Sequence, residues 1–474
     1  MTAKPAFELR GVMLDLGRIT ERRSYYEALL PRLAEWGYNL LHLHLIDDQR
    51  CALVFPSRPE LATPGAFTPE EMRRFVALAA RHGIAVMPEI ECLGHAALIT
   101  SHPRYRHLGE QVDHQWGFNA ICPSHPETRE IIADLLRDTA AIFPHPVIHV
   151  GLDEVEFGKC PRCRRSFGAG SEAWQRFAAH SAWVHGTVRK LGRRPAMWAD
   201  HVVHEPRIMK NFRRDVLMFN WQYIAEYESP KAALLLDAGF ETVACPATVC
   251  YGTRIAPNAM NLANLRNTVA RSLPQRRRGK GLSGLVNTVW CPWRYLPGAI
   301  DYGLALFGHL ATAGGEDPRF AERFARGFYG MADGRQAGAA LAALFGGGIE
   351  QRLHDRTMKG VCREEPFTAE DRRQLALLAG QLGPVLAELR AARRAVRRNR
   401  ERYGDVIISA EALLAVARYG AAGRRKSAAK GVAALFRRAL EAWGRDRHAD
   451  DSLRFGEGRH GEVQSLLWAL RKLR

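Results

Sequence analysis

Short apolar runs alternate with helix-period segments over about the first 310 residues. Residues 7–16 predict a strand. Residues 24–36 predict a helix with Leu29, Leu30, Leu33 and Trp36 on one face, stopped by Gly37. Residues 39–46 predict the next strand. Thr68-Pro69-Glu70-Glu71 then opens a helix: Thr68 caps, Pro69 takes the first turn and Glu71 completes a capping box. Further strands are predicted over 84–90, 147–151, 195–199, 216–221, 242–244 and 285–290. Helices fall between them, around 172–191, 229–238 and 262–272, and a helix over 298–313 ends the series.

Eight strands alternating with helices is the count of an α/β (β/α)8 TIM barrel; a doubly wound open sheet is the alternative. The polar residues favour the barrel. Nearly every apolar strand ends in a chemically rich segment: Asp15-Leu-Gly-Arg18, Asp47-Asp48-Gln49, Glu89-Ile-Glu91, Asp153-Glu154, Trp198-Ala-Asp200, Asn220-Trp221 and Trp290. A barrel gathers strand C-termini into one bowl, whereas an open sheet spreads most of them along a line. After residue 320 the texture changes to Gly, Ala, Leu and Arg, with helical periodicity over 370–402, 410–418, 428–443 and 462–473. The expected organisation is therefore a barrel over 1–318 and an all-helical region over 319–474.

Charge adds one question. The chain carries 68 Lys+Arg against 50 Asp+Glu, a formal +18, and 30 basic against 18 acidic residues lie after residue 320. Only ten of the basic residues are Lys, a bias that often reflects genome composition. The densest run, from Arg390 to Arg402, reads either as a solvated helix face or as a contact to an acidic polymer. No zinc-finger or RNA-recognition signature and no interleaved aromatic platform supports a nucleic-acid partner. No run approaches the roughly 18 uninterrupted apolar residues of a membrane span, and residues 1–10 lack an apolar leader, so a cytoplasmic location is expected. Nine thinly spread cysteines fit a reducing compartment better than a disulfide framework.

Three segments carry the candidate chemistry. His149-Val-Gly-Leu-Asp153-Glu154 places two adjacent carboxylates at a strand end, costly to bury unless one is protonated or both have partners. Neighbours on a strand point to opposite faces, so both serve one site only where the strand breaks into its loop. Pro88-Glu-Ile-Glu91-Cys-Leu-Gly94-His95 offers a histidine after a strand end. His42-Leu-His44-Leu-Ile-Asp47-Asp48-Gln49 sets two histidines on one strand face, without a third ligand to define a metal site.

Taken jointly with Arg10-Gly-Val-Met-Leu-Asp15-Leu-Gly-Arg18 and Cys122-Pro-Ser-His-Pro-Glu-Thr128, these motifs resemble glycoside hydrolase family 20, the β-N-acetylhexosaminidases, in order and spacing over residues 7–315. The likeness is to the compact intracellular members with a helical C-terminal extension. It implies an exo-acting enzyme that removes terminal β-linked N-acetylglucosamine or N-acetylgalactosamine from a small glycan or glycoconjugate, with no metal and no cofactor. The mechanism implied is substrate-assisted and retaining, one of the exceptions to the two-carboxylate scheme.

The roles that follow from the resemblance are specific. Glu154 is the general acid and then the base. It has to hold its proton near neutral pH, which desolvation and the neighbouring Asp153 charge would favour. Asp153 orients the acetamido group. His95 bonds to Glu154 and is held by Asp47 or Asp48. Arg18 binds sugar hydroxyls, and Arg10 sits at the opposite end of its strand. Trp198, Trp221 and Trp290 form aromatic pocket walls, Tyr251 contacts the acetamido carbonyl, and Asn119 and Trp293 are lesser candidates. The chain departs from the family at Leu152, where a second glycine is usual, at Glu91 and Leu93, and at Arg50-Cys51. It departs again at Pro292, which replaces a carboxylate that grips the C4 and C6 hydroxyls.

Cys160-Pro-Arg-Cys163 reads as half of a zinc site, a redox pair or unligated loop thiols, with no second half evident in the sequence. Two other functional readings stay open. One is a hydrolase of a modified, for example sulfated, 2-acetamido glycoside. The other is a non-catalytic protein on the same barrel that binds a glycan or anionic polymer. The helical region suits either packing on the barrel or formation of a homo-dimer.

Overall fold

In the computed structural model, residues 4–110, 120–156, 160–167, 172–250, 253–277, 281–346, 360–361, 364–425, 431–448 and 466–474 are described. Asn119 and Tyr251 lie outside them. The chain forms two compact units that interleave in sequence. One comprises Met1–Gln222, Tyr227–Pro246 and Thr268–Thr288; the other comprises Tyr223–Glu226, Ala247–Asn267 and Val289–Arg474.

The first unit holds the barrel. Strands β1 (Leu9–Asp15), β2 (Leu40–His44), β3 (Ala85–Glu89), β4 (Val147–His149), β5 (Arg194–Trp198), β6 (Leu217–Trp221) and β7 (Thr242–Cys245) pair in chain order. A short β8 (Ala247–Val249) follows Pro246. The long β9 (Leu282–Val289) then pairs with both β7 and β1, closing eight parallel strands into a TIM barrel. The parallel register sets His42 against Met87, and His44 against Glu89, which in turn faces His149. Strand C-termini thus meet at one end, where the polar segments lie.

Local signals account for much of the outer layer. Thr68 Oγ1 accepts from Glu71 N at 3.2 Å and Glu71 Oε2 accepts from Thr68 N at 2.8 Å, so the helix Pro69–Arg81 starts with the expected capping box. Its Met72, Phe75, Val76 and Ala79 are buried on one face.

The second unit is helical. Helices Phe320–Tyr329 and Arg335–Gly346 precede a long pair, Ala369–Ala392 and Arg400–Ala421. The continuous periodicity over 370–402 predicted one helix, and the structure breaks it. The backbone N–H groups of Arg397 and Arg398 both donate to Tyr329 O (2.9 and 3.0 Å), and Asn399 adopts φ 50° with its Nδ2 donating to Phe328 O. Tertiary hydrogen bonds here override propensity.

The basic run is therefore a corner between helices, and several of its arginines are structural. Arg390 pairs with Glu411, and buried Arg402 forks onto Asp446. Helix Ala369–Ala392, with the turn after it, is long and apolar enough to be weighed as a membrane span by length and composition alone. It opens on a Thr368–Asp371 capping box and packs against Arg400–Ala421.

Candidate active site

The site rises from the barrel interior. Glu89, fully buried at the end of β3, lies 3.0 Å from His42 Nε2, 2.9 Å from His44 Nδ1 and 3.1 Å from His149 Nδ1. It also accepts a 2.5 Å hydrogen bond from Trp198 Nε1. Burial pushes His42 down to about 4, so it is neutral. Burial also disfavours a charged His44, but the carboxylates of Glu89 and Asp47 outweigh it and raise its pKa well above the ordinary value. An imidazolium–carboxylate pair thus sits inside the barrel.

His44 passes this charge order outward. Its Nε2 lies 2.6 Å from Asp47 Oδ2, which also takes an ion pair from Arg18 at 3.0 Å. Asp47 and Asp48 each place an oxygen 3.4 Å from His95 Nδ1, so both hold the imidazole. Asp48 Oδ1 also accepts from Ala97 N at 2.9 Å, fixing the loop that carries His95. On the far side of the ring, Nε2 lies 3.6 Å from Asp153 Oδ2 and 3.5 Å from Glu154 Oε2. Burial works against a charged His95, yet Asp47 and Asp153 hold its pKa well above the ordinary value. Burial likewise opposes ionisation of Asp153, and His95 outweighs it to lower the carboxyl's pKa.

The two carboxylates differ. Asp153 is buried, whereas the Glu154 side chain is 43% exposed. Asp153 Oδ1 is buried with no hydrogen-bond partner among the described residues. The backbone beyond the pair is clamped by residues whose part the sequence did not disclose. Asp200 Oδ2 accepts from Glu154 N at 3.1 Å and His201 Nε2 accepts from Val155 N at 2.9 Å. Burial and the Asp153 charge push Asp200 upward. The strand-end segment Trp198-Ala-Asp200 marked the region but not this role.

The turn that presents the pair is strained. Leu152, Glu154 and His95 all have left-handed backbones, with φ 76°, 49° and 47°, a conformation costing about 1–3 kcal/mol and concentrated at functional sites. Gly151 (φ 62°) has the Glu91 carboxylate where a Cβ would stand, and Leu152 N donates to Glu91 Oε2 at 3.3 Å. Burial, reinforced by the Asp153 charge, raises Glu91 well above the usual carboxylate range. Leu152 occupies the usual second glycine in the one conformation that glycine favours.

Relief and packing compete there. Leu152→Gly relaxes about 1–2 kcal/mol of backbone strain but deletes a side chain that is fully buried, worth about 2–5 kcal/mol. The expected result is a net loss of stability and a melting temperature lower by up to about 4 °C in a thermal melt. An increase would mean that the Leu152 side chain adds nothing to the core.

Of the expected residues, Asp47, Asp48, His95, Asp153, Glu154 and Arg18 converge. Arg18 is 7% exposed and engaged with Asp15 (3.1 Å) and Asp47 rather than free in the bowl. Arg10 bonds to Gly37 O and Phe7 O at the start of β1, away from the site. Trp198 requires a correction. It is fully buried, packed on His149 and His42, with its N–H spent on Glu89. It supports the network from inside the barrel and is not a pocket wall. Trp221 is half-buried at the end of β6. In the second unit, Trp290 is 9% exposed and donates from Nε1 to Tyr223 OH at 2.7 Å, and Trp293 is buried.

Residues 7–270 match the model of glycosyl hydrolase family 20, catalytic domain. The chain belongs to this family. It is 28% identical over 283 residues to a beta-hexosaminidase of Vibrio furnissii, covering 52% of this chain and 44% of that protein. A beta-N-acetylhexosaminidase of Cellulomonas fimi is 33% identical over 167 residues, covering 32% of this chain and 34% of the relative. The chain thus spans less than half the length of these relatives. The fold matches a family 20 exo beta-N-acetylglucosaminidase from Vibrio harveyi in complex with N-acetylglucosamine. There the TM-score is 0.54 and the identity 24%, covering 66% of this chain and 55% of the other.

Proposed function

We propose that the family 20 chain is an exo-acting β-N-acetylhexosaminidase that releases terminal β-linked N-acetylglucosamine or N-acetylgalactosamine through an oxazolinium intermediate. The observation that carries this reading is the asymmetric carboxylate pair on His95. Two-carboxylate glycosidases set their acids on either side of the scissile bond, about 5 Å apart or more. Here Asp153 and Glu154 are neighbours on one turn and both approach the same imidazole nitrogen, at 3.6 and 3.5 Å. An opposed nucleophile fits that arrangement poorly; a nucleophile brought by the substrate fits it well.

The step balances without an external group. Glu154 gives its proton to the glycosidic oxygen as the C1–O bond breaks. The 2-acetamido oxygen forms a bond to C1. Asp153, held ionised, accepts the acetamido N–H at Oδ1, satisfying a buried oxygen that otherwise lacks a partner among the described residues and offsetting the developing positive charge. Glu154 then takes a proton from the water that opens the ring.

The test is release of nitrophenol from the β-N-acetylglucosaminide and β-N-acetylgalactosaminide, compared with the 2-hydroxy glucoside. Activity on the acetamido sugars alone is expected, and Asp153→Asn should lower it about 10²–10³-fold. Activity on the 2-hydroxy sugar, or an unaffected Asp153→Asn variant, would sink the substrate-assisted reading. The ratio of the two acetamido sugars addresses Pro292, which is buried in the turn Pro292–Arg294 behind left-handed Cys291. With no carboxylate at that position, weak discrimination at C4 is expected.

A further inference from the structure

Glu110, Cys122, Cys160 and Cys163 meet in one buried cluster of the barrel unit. Cys122 Sγ lies 3.5 Å from both Cys160 Sγ and Cys163 Sγ. Cys163 Sγ lies 2.7 Å from Glu110 Oε1, and all four ligand atoms fall within 4.8 Å of one another. Glu110 and Cys163 are fully buried, and Cys122 and Cys160 are no more than 8% exposed. We propose that these four side chains form a closed structural zinc site, with Cys160-Pro-Arg-Cys163 as one half and Glu110 and Cys122 as the other.

The sulfur spacing and the chemistry agree. Tetrahedral zinc with Zn–S bonds of about 2.3 Å has S···S edges of about 3.8 Å, near the separations here and far from the roughly 2.05 Å of a disulfide. Three thiolates and a carboxylate fill four positions and leave none open, which is the pattern of a structural site. Thiolate donors select zinc over the hard divalent cations. The Glu110 carboxylate accepts from Cys163 Sγ, so the buried cluster is a polar one and not apolar packing.

Zinc is bound by thiolates, so ligation would release the thiol protons. The ligated group would carry a net negative charge. Arg162, Arg164 and Arg165 are exposed on the helix that holds Cys163.

The placement gives the site a task. Glu110 and Cys122 sit on an antiparallel closure after β3, where Glu110 N donates to Ala120 O and Cys122 N to Leu108 O. Cys160 and Cys163 follow the segment that starts with Asp153 and Glu154. Zinc would tie these two segments together, over sequence separations of 38 and 41 residues between the paired cysteines.

The experiment is metal analysis of the full chain, produced in zinc-supplemented medium and purified without chelator. About one zinc per chain is expected. Cys122→Ser and Cys160→Ser should each lower it severalfold, while Cys51→Ser keeps it. Replacement of the zinc by cobalt should give the visible bands of a tetrahedral cobalt thiolate, a readout that needs neither variant to fold nor the glycosidase reading to hold. Zinc-free wild-type protein with all three thiols alkylatable would overturn the proposal. So would a disulfide between Cys122 and either partner, or iron in place of zinc.

Discussion

Glu154→Gln should lower turnover of a β-N-acetylglucosaminide with a poor leaving group by about 10²–10⁴-fold, the usual share of general acid catalysis, while leaving the melting temperature almost unchanged. The two halves of this expectation come from one observation. The Glu154 side chain is 43% exposed and only 3.5 Å from His95 Nε2, its one ion-pair contact among the described residues. Little stability is therefore at stake in its charge, since exposed pairs contribute about 0–1 kcal/mol. Its amide, however, has no proton to give a departing oxygen. A dinitrophenyl leaving group needs no such proton, so bond cleavage from that substrate should suffer far less than from a methyl glycoside or disaccharide. kcat/KM on both substrate types, which reports the steps up to C1–O cleavage and not the later attack of water, checks this. Equal losses on both would assign Glu154 a binding role, and retained activity on the disaccharide would remove it from the chemistry.

How the site was legible follows from how a barrel is built. Asp47, Asp48, His95, Asp153 and Glu154 stand after three different strands, and barrel closure alone brings strand ends together. Their convergence on one imidazole was readable because motif order and strand order coincide. The face of a residue at a strand's last position was not readable. Trp198 ends β5 beside His149 and turns inward, because Glu89 there offers an acceptor that an indole N–H must find when buried. No local pattern encodes that choice; it depends on a carboxylate 109 residues away. The same holds for the joining of Cys122 to Cys160 and Cys163, which lies in tertiary space. It holds again for the break near Asn399, where the carbonyls of Phe328 and Tyr329 claim donors that the helical period alone would have kept. Left-handed Leu152 could have been suspected from the usual glycine at that position, but its full burial could not.

Glu89→Gln should be the most destabilising conservative change in the barrel, by about 3–5 kcal/mol, the cost of removing one member of a buried ion pair. With an unfolding entropy of about 2 cal/mol/K per residue, each kcal/mol corresponds to roughly 1 °C in a chain of this length, so the melting temperature should fall by roughly 3–5 °C. The carboxylate has His42, His44 and His149 within 3.1 Å and accepts from the Trp198 N–H. An amide keeps one oxygen and turns an N–H₂ group toward donors, leaving buried groups unsatisfied. It also removes the anion that holds His44 charged. The pH dependence carries the sign. His44 has a folded pKa above its unfolded value, so its pairing with Glu89 stabilises fully below the unfolded pKa, about 6.5, and is lost as pH rises through the folded pKa. The gap in melting temperature between wild type and Glu89→Gln should therefore be widest in mild acid and narrow as pH rises through the raised His44 pKa. Thermal melts across that range check both size and slope. A gap that widened with pH would place the proton elsewhere than on His44. A variant melting within about a degree of wild type would mean that the buried carboxylate adds nothing to stability. The link from His44 through Asp47 to His95 would then rest on Arg18 and Asp48 alone.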